Sequence, residues 1–216
     1  MRLQSAIFDM DGTLLDSMPT WRELGPAFLR EADIPATPEQ EQMLRTMTDH
    51  EVIPYLREVC GLPWSEQEIM DKIIARMEDF YSTAVRPKPG LEKFLSILKM
   101  EGVWMYVATA THRRLTEKAL KTAGIDHCFR GIVTSADAGS HKSESAEIYE
   151  MALRRLHSNK RDTVVFEDAL YAARTAKAAG FRVAGVYDVT AEKDQAELQR
   201  ICDYYIRSYE ELVETL

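Results

Sequence analysis

Residues 6–17 read AIFDMDGTLLDS: an apolar run ends in Asp9 and Asp11, one residue apart, and Gly12 closes the turn. A second acidic pair, Glu167-Asp168, also follows an apolar run, Thr109 ends a third, and one lysine, Lys142, stands in the loop before Ile148. Carboxylates gathered into one cleft repel each other strongly without a cation, so such clustering itself predicts a metal ion. Two acids side by side can also divide labour, one attacking while the other moves protons. The bland alternative is that Asp9-Met10-Asp11-Gly12 is an ordinary turn. What separates the two is whether the fold brings these residues together.

The elements that would have to do so are legible. Residues 4–8 form a short buried strand. From about Pro19 to Thr83 the pattern is helical only, as in the sets Leu24, Phe28, Leu29 and Ile69, Ile73, Ile74, Met77, Phe80, Tyr81. After the stiff turn Arg86–Gly90, strands and helices alternate. Strands are expected at 103–108, 131–134, 163–166, 182–186 and 202–206. Helices are expected at 113–123 and 169–179, each closed by a glycine (Gly124, Gly180), at 146–156, and at the C-terminus. Short apolar strands alternating with helices predict an α/β fold with a doubly wound parallel sheet, Rossmann-like and covered on both faces. The helical block then becomes an insert between the first and second strands. The expected division is an α/β core of residues 1–16 and 87–216 and a helical insert of residues 17–86. Ligands of open α/β sheets bind beyond the carboxyl ends of the strands. Asp9 and Asp11, Thr109-Ala110-Thr111 and Glu167-Asp168 all fall there, and Lys142 comes near by a loop.

The chain has 216 residues, 45% of them apolar, and a net charge of −8. An acidic surface argues against a nucleic-acid partner but leaves room for a small phosphorylated one at a local cationic site. Neither a signal-peptide core nor an apolar stretch near the ~20 residues that span a bilayer is visible, so no membrane partner is expected. Cys60, Cys128 and Cys202 form no CxxC pair, which suits a reducing cytoplasm.

On these residues the sequence resembles the haloacid dehalogenase-like hydrolases, in the helical-cap branch that includes beta-phosphoglucomutase and many small phosphatases. Asp9-Met10-Asp11-Gly12-Thr13 resembles the family's DxDGT segment, Thr109 its second-motif hydroxyl, Lys142 its lysine and Glu167-Asp168 its last acidic pair. One departure stands out. The family usually reads Lys-Pro-x-Pro-(Asp/Glu)-Ile, whereas residues 142–148 read KSESAEI, without prolines and one residue longer.

The resemblance implies a Mg²⁺-dependent phosphatase acting on a small phosphorylated metabolite, with the insert of residues 17–86 as a helical cap domain and Asp16-Ser17 and Arg86–Gly90 as its two hinge strands. Asp9 would be the nucleophile, forming an aspartyl-phosphate, and Asp11 the general acid and later the base. Gly12 would take an unusual backbone angle so that both acids reach one phosphorus. Thr109, the Ala110 amide and Lys142 would hold the phosphoryl group. Mg²⁺ would be held by Asp9, Asp168 and the Asp11 backbone carbonyl, with Glu167 as direct or outer partner. Should Lys142 not serve, Arg113 or Arg114 is the alternative cation. The runner-up is a sugar-phosphate phosphomutase. Against it, Trp21 stands where the mutase carries a histidine, and Arg45 and His50 do not reproduce its sugar-phosphate loop. A phospho-acceptor domain is a third class, but such domains lack a helical insert. Whether the protein is a monomer or a dimer is not legible.

Overall fold

The structure, a computed structural model, describes residues 3–47 and 49–214, and the side chains of Asp49 and His50 lie outside that description. Strand β1 (Ser5–Phe8) is followed by four helices: α1 (Met18–Glu31), α2 (Pro38–Thr46), α3 (Asp49–Pro54), which runs into a π-helical turn at Tyr55–Val59, and α4 (Glu66–Thr83). Then come α5 (Leu91–Met100), β2 (Trp104–Thr109), α6 (Arg113–Thr122), β3 (Ile132–Thr134), α7 (Ser135–Ala138) and α8 (Glu147–Arg155). The chain ends with β4 (Thr163–Glu167), α9 (Leu170–Ala178), β5 (Arg182–Val186), α10 (Gln195–Ile201), β6 (Tyr204–Ile206) and α11 (Tyr209–Glu214).

The six strands are all parallel, in the order β3-β2-β1-β4-β5-β6. Sequence order runs outward from β1 to one edge, then resumes beside β1 at β4 and runs to the other edge. That reversal makes the β1/β4 seam the switch point, the place beyond the strand ends where sheets of this kind bind their ligands. β1 and β4 are buried along their whole lengths, as strands covered on both faces must be. On one face Ile7, Ala108, Val165 and Val183 pack with Ile148, Tyr149 and Ala152 of α8 and with Ala173 and Ala176 of α9. On the other, Phe8 stacks on its register partner Phe166 with centroids 4.3 Å apart, and Phe94 of α5 and Tyr209 of α11 continue that aromatic layer.

The chain divides into two compact units, Met1–Asp16 with Tyr81–Leu216, and Ser17–Phe80. Within the second, Thr37 and Gln40 form a reciprocal capping box at the start of α2. Trp64 meets Phe28 edge-on at 5.8 Å and carries Lys72 over its ring, while Arg57 pairs with Glu66. Arg45 is engaged by Glu23 and Glu41.

Several local expectations are revised. The first compact unit resumes at Tyr81, inside α4, and Tyr81 and Val85 are fully buried. The hinge strands reduce to one antiparallel bridge, Leu15 with Pro87, flanked by Asp16 N–H to Arg86 O and Lys88 N–H to Leu14 O. Pro87 and Pro89 lack the donors a longer ladder would need. The last strand begins at Tyr204, since Cys202 ends α10. Helices α5, α7 and α10 were not read from the sequence.

Gly90 caps α5 with φ 80°, and a Cβ there would lie 2.4 Å from the Glu210 amide nitrogen at the start of α11. Gly124 has φ 73° with open space around it. Urea unfolding should show Gly90→Ala losing more than about 3 kcal/mol and Gly124→Ala only about 1. Equal losses would mean that α5 and α11 separate at no cost.

Candidate active site

Strand register sets the first acid. The Asp9 amide donates to Phe166 O at 3.0 Å, so Asp9 leaves β1 level with the end of β4, where Glu167 and Asp168 follow. Met10, Leu14 and Leu15 are fully buried and anchor the loop between them. Leu14 N–H and Leu15 N–H both donate to Met10 O, which closes the turn, and Gly12 adopts φ 82°, open to glycine at little cost. Thr13 Oγ1 donates to Asp168 Oδ1 at 3.0 Å.

Asp9, Glu167 and Asp168 are all buried, and each offers a carboxylate oxygen within 4.8 Å of the others. Lys142, 2% exposed, donates to Asp9 Oδ1 at 2.5 Å and to Glu167 Oε1 at 2.6 Å. Tyr149 donates to the same Glu167 oxygen at 2.6 Å. Lys142 therefore arrives despite the altered loop. Glu144 and Ser145 amides both turn back onto His141 O, and Ser145 Oγ accepts from the Glu147 amide where α8 begins. This turn absorbs the extra residue. Arg113, the alternative cation, is committed to Asp137 and Ile132 O.

One ammonium cannot balance three buried carboxylates. Burial pushes Asp9 well above the usual carboxylate range; Lys142 opposes this, while Glu167 and Asp168 add to it. Burial, then Glu167 and Asp188, push Asp168 up to about 7. Burial alone would lower Lys142, but Asp9 and Glu167 outweigh it and hold the ammonium charged. Glu167 Oε2 is buried with no hydrogen-bond partner among the described residues. An acceptor stripped of water in this way calls for a ligand, and three hard oxygen donors suit a divalent cation such as Mg²⁺.

Asp11 stands outside that cluster. Its Oδ1 accepts from Tyr81 OH at 2.6 Å and its Oδ2 from Thr111 Oγ1 at 2.7 Å. Thr109, buried at the end of β2, accepts the Thr111 amide on its hydroxyl oxygen, leaving its own proton to donate elsewhere, and Ala110 follows at an exposed position. The N-cap of α6 is His112, with no side-chain cap bond. The structure thus joins Asp9, Lys142, Glu167 and Asp168 in one group and sets Asp11 in another with Thr111. Sequence reasoning missed Tyr81 and Tyr149, which read as apolar helix positions, and Thr13.

A family profile described as haloacid dehalogenase-like hydrolase matches residues 6–186. The chain belongs to that family. It is 25% identical over 185 residues to the phosphorylated carbohydrates phosphatase of Thermotoga maritima, covering 85% of each chain. It is 27% identical over 196 residues to hexitol phosphatase B of Escherichia coli K12, covering 89% of this chain and 87% of that one. The fold matches the crystal structure of CbbY from Rhodobacter sphaeroides in complex with phosphate, with TM-score 0.79 and 24% identity over 97% and 96% of the two chains. Among the described residues, no helix is long and apolar enough to cross a membrane.

Cation binding at this cluster should release protons. Below a carboxyl pKa of about 7 the cation must displace the proton of Asp168, so apparent affinity should fall by up to roughly tenfold per pH unit from pH 7 to 6. Titration calorimetry with Mg²⁺ in two buffers of different ionisation enthalpy measures the release; affinity that rises with acid would reverse the sign argued here.

Proposed function

We propose that this chain is a cytoplasmic, Mg²⁺-dependent phosphatase that hydrolyses a small phosphate monoester through an aspartyl-phosphate on Asp9. The supporting observation is the Lys142 bridge from Asp9 to Glu167, beside the unpartnered Glu167 Oε2. The proposed division is an α/β core carrying all of these residues and a helical cap formed by the insert. The names of the relatives point to a phosphorylated sugar or polyol as substrate.

Asp9, Glu167 and Asp168 would hold Mg²⁺, with the Asp11 carbonyl as a further ligand; the bound ion would offset the repulsion between a carboxylate and a dianionic ester. Lys142 fixes the Asp9 side chain and faces the transferring phosphoryl group. Thr109 and the Ala110 amide donate to its oxygens. In the first half-reaction an Asp9 oxygen bonds to phosphorus, the ester P–O bond breaks, and Asp11 gives its proton to the leaving oxygen. In the second, water bonds to the same phosphorus while Asp11 takes its proton, and the P–O bond to Asp9 breaks, releasing phosphate.

A mutase would pass through the same intermediate but must grip a second phosphate. Arg45, the cation nearest the relevant stretch of sequence, is already paired with Glu23 and Glu41. The His50 side chain lies outside the described residues.

The test is phosphate release from a panel of sugar and polyol phosphates with Mg²⁺. Chelator should abolish it, and Asp9→Asn should reduce it to background while leaving the fold intact by circular dichroism. Glucose 1-phosphate, if consumed, should yield phosphate without a need for hexose bisphosphate. Bisphosphate-dependent glucose 6-phosphate with little phosphate would favour the mutase.

Lys142→Ala should lower kcat by roughly 10²-fold or more, the scale for losing a charged donor at a reacting phosphoryl group. His141→Ala, whose ring meets Ser143 and Tyr171 outside the cluster, should stay within about threefold of the parent. Steady-state kinetics on 4-nitrophenyl phosphate decides it. Near-parental activity of Lys142→Ala would remove the lysine from the reaction.

A further inference from the structure

We propose that Tyr81 and Thr111 are positioning residues for Asp11, holding its carboxyl group where it can exchange a proton with the leaving oxygen and then with water. This rests on the acid–base role of Asp11 given above.

Asp11 follows the end of β1 and precedes Gly12, and it is only half-buried. The loop's own hydrogen bonds, from Leu14 and Leu15 to Met10 O and from Gly12 to Leu15 O, fix the chain but not the Asp11 rotamer. Two hydroxyls engage the carboxyl group directly. Tyr81 OH donates to Oδ1 at 2.6 Å and Thr111 Oγ1 to Oδ2 at 2.7 Å. Both lie in the short range of hydroxyl–carboxylate bonds. They come from separate elements, the last turn of α4 and the segment after β2, so each oxygen is pinned from its own side. Contacts on both oxygens oppose rotation of the carboxyl group, and a misplacement of about 1 Å at a reacting group can cost on the order of 10²-fold in rate.

Packing alone does not explain the tyrosine. Its side chain is fully buried, and phenylalanine would fill the same volume without burying a hydroxyl that must then be satisfied. Its hydroxyl reaches one of the two acids of the DxDGT segment, 70 positions away in sequence.

Phenyl phosphate and 4-nitrophenyl phosphate separate this role from a structural one, because phenolate needs protonation more than nitrophenolate does. Tyr81→Phe should lower kcat on phenyl phosphate by roughly 10- to 100-fold, lower it less on 4-nitrophenyl phosphate, and leave both KM values within about twofold. Thr111→Val should show the same ester bias and serves as the second variant should Tyr81→Phe unfold at a lower temperature. The double variant Asp11→Asn/Tyr81→Phe should be no slower than Asp11→Asn to within about twofold, since the tyrosine acts through the acid. Equal losses on both esters, a loss confined to KM, or additive losses in the double variant would overturn the proposal. Should Asp11→Asn itself fail to discriminate the two esters, the acid–base role falls and this proposal with it. Should Asp11→Asn discriminate and Tyr81→Phe and Thr111→Val not, the positioning role alone is wrong.

Discussion

The structure is organised around a charge imbalance. Asp9, Glu167 and Asp168 bring three carboxylates out of water at the β1/β4 seam, and the lysine among them is one, Lys142. Each buried ion costs several kcal/mol of lost hydration, which attraction returns only where geometry and hydrogen bonds are good. Lys142 meets that condition for two acids by bridging Asp9 and Glu167. It does not reach the third, and the remaining excess appears as the upward shifts of Asp9 and Asp168. A cluster left in that condition is stable only with its acids partly protonated or with a cation present.

The surrounding fold supports this arrangement at several points. Parallel pairing of β1 with β4 places Asp9 beside Glu167 without any contribution from the side chains themselves. The residues that complete the ring come from elements that also build the core. Tyr149 belongs to the α8 face packed on Ala108 and Val165, and its hydroxyl continues from that face to Glu167. Thr13 ties the loop after β1 to Asp168. Beyond it, Lys88 pairs with the buried Asp188 and with Tyr187 O, joining the segment before α5 to the end of β5. Rigidity of this kind is what holds a charged group within fractions of an ångström.

Much of this was legible in the sequence, for identifiable reasons. Short apolar runs alternating with helices announce a parallel sheet, and the all-parallel order of the strands bears that out. Gly12, Gly124 and Gly180 all take the positive φ expected of them. Partners of hydroxyls were not legible. Tyr81 and Tyr149 fall at apolar helical positions, where tyrosine and phenylalanine give the same periodicity; the destination of the phenol oxygen is set by tertiary structure. The pairing of the hinge segments shortened where a proline removed a donor, as at Pro87, and the last strand began late because the short helix α10 carried too few periodic residues to be read. The altered loop around Lys142 lost the family's prolines, yet its turn onto His141 O delivers the ammonium to the acids.

The two acids of the opening turn end in opposite surroundings although one residue separates them. Asp9 is buried against a fixed positive charge, and an ammonium can only donate. Such a partner opposes the upward shift that burial imposes on Asp9, and so works toward the carboxylate that a nucleophile would need. Asp11 meets hydroxyls instead. A hydroxyl donates to a carboxylate and can also accept from a carboxylic acid, so the same two contacts remain available in either protonation state. That is what a group must have if it gives up a proton in one half-reaction and takes one in the next. Pairs of acids whose environments are pushed apart in this way are how a site assigns different tasks to chemically identical groups. Under the proposed roles the assignment would follow from which element reaches each side chain: the loop before α8 brings a cation to Asp9, while α4 and the segment after β2 bring neutral donors to Asp11.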